Sequence, residues 1–177
     1  MHPMQELAAR RWWKRPSGIA VAVIVVGSFG LWGYALSGLA ERTPPDTLTA
    51  PSFATAAEPR CAAARAAIDE LPLAMTARSA VERAGTLDEA TDIVAALVTE
   101  LRTIPVDGAV DQALVEAWLG DWDRYVDDRR RYADALRIDA TARFTLTARN
   151  GKNYTRTMDA MADVNDMPSC RTPGDVG

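Results

Sequence analysis

The residue whose type and place most suggest chemistry is Arg129, within "WLGDWDRYVDDRRRYADALR" (Trp118 to Arg137). If residues 110–138 form one helix, advancing about 100° per residue gathers Leu114, Trp118, Trp122, Tyr125, Tyr132, Ala133 and Leu136 into one stripe about 100° wide. Arg129 falls in the middle of that stripe, beside Trp122, Tyr125 and Tyr132. A guanidinium there has to be paired or stacked on a ring, because an unpaired buried charge costs several kcal/mol. One chemistry is an internal ion pair, with Asp69, Glu70, Asp159 and Asp163 as candidate partners from other elements. The other is a cleft arginine whose planar fork binds the carboxylate or phosphate of a ligand. The four aromatic residues divide the same way, as core packing or as a platform for a sugar or peptide.

The opposite face carries Asp123, Arg124, Asp127, Arg130, Arg131 and Asp134. Pairs four apart (Arg124–Asp128, Asp127–Arg131, Arg130–Asp134) read as a solvated, self-neutralising surface, each pair adding only tenths of a kcal/mol.

Other reactive groups are scarce. His2 is the only histidine, so residues beyond the N-terminal stub offer no Ser-His-Asp triad, Cys-His pair or histidine-ligated zinc. Phosphate-binding loops, dinucleotide fingerprints, nucleophile elbows and EF-hand loops are missing. No catalytic residue, metal ligand or cofactor is therefore assigned. Asp121 and Asp123 diverge by about 200° on a helix and do not converge on one ion. A serine-lysine dyad would need Lys152, the one lysine beyond the stub, beside a turn. Two acids about 5–10 Å apart suffice for glycoside cleavage. With 23 acids beyond the stub, that spacing alone identifies nothing.

The elements that position these residues divide the chain into four. Residues 1–16 carry Arg10, Arg11, Lys14 and Arg15 against Glu6. The rest holds 16 Lys and Arg against 23 Asp and Glu, a net −7. An acidic body of this kind is a poor partner for nucleic acid. Residues 17–40 form a run of 24 without a charge, with Trp12 and Trp13 before it and Trp32 and Tyr34 near its other end. About 20 apolar residues cross a bilayer core, so the expectation is a transmembrane helix contacting lipid. The basic side would be cytoplasmic and the acidic side extracytoplasmic. A signal peptide cleaved after Ala40 is the competing reading, although its apolar region is usually only 7–15 residues. Residues 41–59, with four prolines, are expected to be an extended or disordered spacer.

Residues 60–177 are expected to form a mainly α extracytoplasmic bundle. A helix follows Arg60 and stops or kinks at Pro72; a second covers Leu73–Ala84 and ends at Gly85. A third begins at a capping box, Thr86 with Glu89, and buries Ala90, Val94, Leu97, Leu101 and Ile104. The long helix of the opening stretch comes next. The period then changes to two in "RFTLTARNGKNYTRT", where Asn150-Gly151 predicts a β-hairpin. A last short helix carries Met158, Met161 and Ala162. Cys61 and Cys170 are the only cysteines, and in an oxidising compartment they are expected to pair. Closing so long a loop stabilises a fold by about 4–5 kcal/mol in the chain-entropy picture.

The segments "DWDRYVDDRRRYADAL" and "NDMPSC", after a basic stub and a single span, resemble an uncharacterised family of bacterial single-pass, membrane-anchored helical proteins. The resemblance covers most of 60–177 and implies the architecture but no activity. The functional expectation is a non-catalytic module that binds an envelope protein or assembles in the envelope. Small-anion sensing around Arg129 and carboxylate-dependent envelope hydrolysis are the alternatives.

Overall fold

The computed structural model describes residues 16–37, 44–148 and 153–175. The chain divides into two compact units, Met1–Thr43 and Pro44–Gly177.

In the first unit, helix α1 spans Pro16–Leu36 and contains no charged residue. Its last described helical residue is Leu36; both the N–H and the hydroxyl of Ser37 turn back onto the Tyr34 carbonyl, and residues 38–40 of the expected 17–40 lie outside the described residues. Among the described residues no helix is long and apolar enough to cross a membrane. The side chains at 16, 17 and 35, and all of 38–43, lie outside the described set.

The second unit contains α2 (Ser52–Asp69), α3 (Ala80–Leu101), α4 (Ala109–Ile138) and α5 (Thr155–Val164), with 3₁₀ turns at Ala74–Thr76 and Pro168–Cys170. The principal pair is α3 against α4, with α2 packed on α3 and α5 on α4. As the periodicity of its sequence requires, α3 buries Ala90, Val94, Leu97 and Leu101, and Ile104 follows just beyond its end. Gly108, at φ +82°, makes the sharp entry into α4 that a side-chain-bearing residue would resist. Most of the core lies between α2, α3, α4 and α5, and a smaller cluster of Ala84, Leu87, Tyr132, Ala133 and Leu136 closes the far end.

Three expectations need correction. Residues 52–59, assigned to the spacer, are the first turns of α2, where Phe53, Ala54 and Ala57 enter the core. An alanine-rich sequence supports a helix there, and α2 accommodates Pro59 within its length.

Of the helix expected over Leu73–Ala84, the first part is only a 3₁₀ turn at Ala74–Thr76, and residues 80–84 join the helix expected from Thr86 in one helix, α3. Its cap is Ser79, whose hydroxyl accepts the Glu82 N–H, while the Glu82 carboxylate accepts the Arg78 N–H. Gly85 lies within α3, because the bonds of a capped helix outweigh the roughly 1 kcal/mol that one glycine costs.

The β-hairpin is also absent: no strand occurs among the described residues. Its first arm is extended and turns Phe144 and Leu146 inward, as the period of two requires. The second arm is instead the start of α5, where the Asn153 carboxamide oxygen accepts the N–H and hydroxyl of Thr155. The intervening Asn150-Gly151 turn lies outside the described residues.

Candidate functional site

Arg129 is fully enclosed. Its Nε donates to the Thr91 hydroxyl of α3 at 2.9 Å, and its two terminal nitrogens grip the Asp175 carboxylate at 2.5 and 2.6 Å. The guanidinium carbon also stands 5.5 Å from the centre of the Tyr125 ring. The partner is none of Asp69, Glu70, Asp159 or Asp163; it comes from the segment following the disulfide. Burial alone would weaken the guanidinium's hold on its proton, but the Asp175 carboxylate reverses this and holds Arg129 above the ordinary arginine range. Burial pushes the neighbouring Tyr125 phenol up, against the pull of Arg129. Tyr125 donates to the Pro173 carbonyl at 3.0 Å.

These contacts belong to a longer strap. Cys170 is joined to Cys61 of α2, with 5.0 Å between their Cα atoms. Thr172 N–H donates to Asp159 of α5 at 2.7 Å, and the Arg65 guanidinium of α2 donates to the Arg171 carbonyl at 2.6 Å. Residues 170–175 are thus tied successively to α2, α5 and α4, and end at Arg129.

Two further clamps have the same construction. Asp128, expected to lie on the wet face, is buried. It accepts the Thr147 N–H at 2.7 Å, the Thr147 hydroxyl at 2.6 Å and the Tyr154 phenol at 2.5 Å, with Arg131 alongside. It therefore docks the extended arm onto α4 and fixes the entry to α5. Burial, and then the bond to Asp128, raise the Tyr154 phenol far above its ordinary range. Asp111, also buried, accepts from Thr49 N–H at 2.8 Å, Ala50 N–H at 3.0 Å and the Thr49 hydroxyl. The two backbone donors hold its carboxyl below the usual range, Ala50 most strongly. Asn165 completes the hold on this segment, accepting Leu48 N–H and donating to the Asp46 and Met161 carbonyls.

The aromatic residues form a buried edge-to-face ladder. Phe53, Trp118, Trp122 and Tyr125 follow one another at 5.8–6.2 Å between ring centres, and Phe144 fits between Tyr125 and Tyr132. Trp118 donates its indole N–H to the Met158 carbonyl at 3.1 Å. Neither tryptophan offers an exposed face to a ligand.

The charges on the outer face pair differently from the expected i,i+4 pattern. Arg131 and Arg137 meet Asp128 and Asp134 three residues back; Arg102, Arg130 and Arg137 reach between α3 and α4, to Asp123, Asp92 and Asp88. Asp121 is buried whereas Asp123 is half-exposed, so those two carboxylates do diverge. Among the described residues no group of three histidine, cysteine or acidic side chains is placed to hold a metal ion.

What sequence reasoning missed here is Asp111, Asp128, Asn165, Thr91 and Asp175. A signal existed for one of them: on the wheel that singled out Arg129, Asp111 falls at about the same angle.

Compared with known protein families, curated proteins and solved structures, the chain matches none. The functional reading therefore rests on the geometry.

Proposed function

We propose that the protein is a membrane-tethered, extracytoplasmic helical module that works by holding another envelope protein and has no catalytic activity. The observation carrying this reading is the enclosure of Arg129, whose donors are already engaged by Asp175, Thr91 and Tyr125. An arginine awaiting an anionic ligand would keep part of its fork open. The burial of Trp118 and Trp122 likewise speaks against a carbohydrate platform, and hence against an envelope hydrolase. Support for the tether comes from the uncharged sequence over 17–40 and from α1, whose Ile19, Val23, Ile24, Val26, Phe29 and Leu31 side chains all stand exposed. Over its described residues α1 alone is not long and apolar enough to cross a membrane, so the tether rests on the whole uncharged run 17–40, for which lipid would supply apolar surroundings. The basic stub of residues 1–16 then lies in the cytoplasm.

The test is cross-linking of tagged full-length protein in intact cells, followed by identification of what it holds. One dominant envelope protein, lost when residues 44–177 are deleted, is the expected result. Background alone, with the protein present in the membrane fraction, would overturn the proposal.

A further inference from the structure

Five large apolar side chains of the second unit stand exposed among the described residues: Leu73, Met75, Val81, Val110 and Ile138. Leu73 and Met75 lie in the connection between α2 and α3, and Val81 stands in the first turn of α3. Their exposure is built in. The connection is locked by the 3₁₀ turn, where Thr76 donates both its N–H and its hydroxyl to the Leu73 carbonyl, and by the buried Ala74. The Ser79–Glu82 cap then fixes the entry to α3.

Two hollows of about 220 and 280 Å³ adjoin this connection, sharing Pro72, Leu73 and Thr86. The first is floored by Ile68, Leu71, Leu87 and Ala90; the second is walled by Glu82, Gly85 and Glu89. Each falls below the roughly 300–1,000 Å³ of a small-molecule pocket. Two small hollows that meet at Pro72, Leu73 and Thr86 suit successive side chains of a docked segment better. A methionine at the rim adapts to such a contact because its thioether chain is unbranched and polarisable.

The charge around the hollows selects the partner. Among the described residues no lysine or arginine lines either hollow, whereas Asp69, Glu82 and Glu89 do. Between Asp69 and Glu89 the sequence has five carboxylates against Arg78 and Arg83; Asp88 is paired with Arg137, and Arg83 is spread over the Tyr132 ring, which leaves Asp69, Glu70, Glu82 and Glu89 against Arg78. Asp175, which also borders the first hollow, is engaged by Arg129.

We infer that the exposed Leu73–Met75 stretch, with the hollows beside it, docks a protein segment presenting apolar side chains flanked by lysine or arginine. This rests on the interaction-module reading and gives it a surface and a partner chemistry. The area is apolar at its centre and acidic at its rim, the arrangement of a protein–protein contact.

The test places a photo-cross-linking amino acid in the full-length chain in cells, either at Met75 or, as a control, at exposed Asp127 of α4. The expected result is an adduct at 75 and none at 127, with a captured peptide carrying an apolar residue beside lysine or arginine. Leu73→Asp should cut the yield about tenfold, the loss typical of a contact residue. It should leave the melting temperature unchanged, since Leu73 is 66% exposed. Met75→Lys, at a still more exposed site, should do the same through charge. Capture of lipid, a second copy of this chain or a segment without basic residues would overturn the inference. An adduct at 127 alone would overturn this surface while leaving the interaction module standing. Silence at both positions together with a blank whole-cell cross-linking result would overturn both.

Discussion

Asp111 shows how a single carboxylate contributes to this fold and how that contribution can be removed. Its hydrogen bonds from Ala50 and Thr49 exist only in the folded state and depress its folded pKa. The unfolded chain therefore binds the proton more readily. The resulting stability is fully present above the ordinary aspartate pKa, about 4, and fades as pH falls through the depressed folded value. Urea midpoints followed from about pH 7 to pH 2 should decline on the acid side, and Asp111→Asn should flatten that decline. An unchanged acid limb would mean that Asp111 does not hold the 44–50 segment. At this scale the sequence was partly legible. Arg129 and Asp111 both interrupt an apolar stripe, and an interrupted stripe demands a partner. The partners themselves come from irregular segments, where no periodicity ties Asp175 or Thr49 to a face.

Helix α3 shows what propensity reveals and what it conceals. Its buried stripe was readable because 3.6-residue spacing registers the core directly. Its beginning was not, since both Ser79-x-x-Glu82 and Thr86-x-x-Glu89 satisfy the same capping pattern. The structure selects the first and leaves Thr86 inside the helix, its hydroxyl turned to the Glu82 carbonyl. Ser79→Ala should therefore cost about 1 kcal/mol, and Thr86→Ala less than about 0.5 kcal/mol, in urea unfolding. Reversed magnitudes would restore a helix start at Thr86. Gly85, read from sequence as a stop, has open space where a Cβ would stand. Gly85→Ala should thus stabilise the unit by about 0.5–1 kcal/mol, seen as a raised melting temperature. The hairpin failed for a related reason. Alternation correctly gave an extended arm, but Asp128 supplied that arm's docking partner and Asn153 diverted the following residues into α5.

For the whole second unit, helix packing supplies the core, and buried polar side chains fasten the irregular segments to it. Asp111 and Asn165 hold residues 46–50, Asp128 holds the extended arm, and Arg129 holds the strap that begins at the disulfide. The cysteine pairing was legible from the count, since two cysteines allow one intrachain bond. The direction of the strap was not, because it depends on where α2, α4 and α5 come together. On this account Arg129 is architecture, and binding occurs at the surface. The most direct test is a double-mutant cycle on Arg129 and Asp175, using Arg129→Met, Asp175→Asn and the pair together, read by urea unfolding of residues 44–177. Asp175→Asn should cost about 3 kcal/mol by leaving a buried guanidinium without its counter-charge. Adding Arg129→Met should recover part of that loss, giving a coupling energy of about 2 kcal/mol or more. Effects that simply add, with Arg129→Met alone leaving stability untouched, would contradict the account and return Arg129 to the role of a ligand-binding residue.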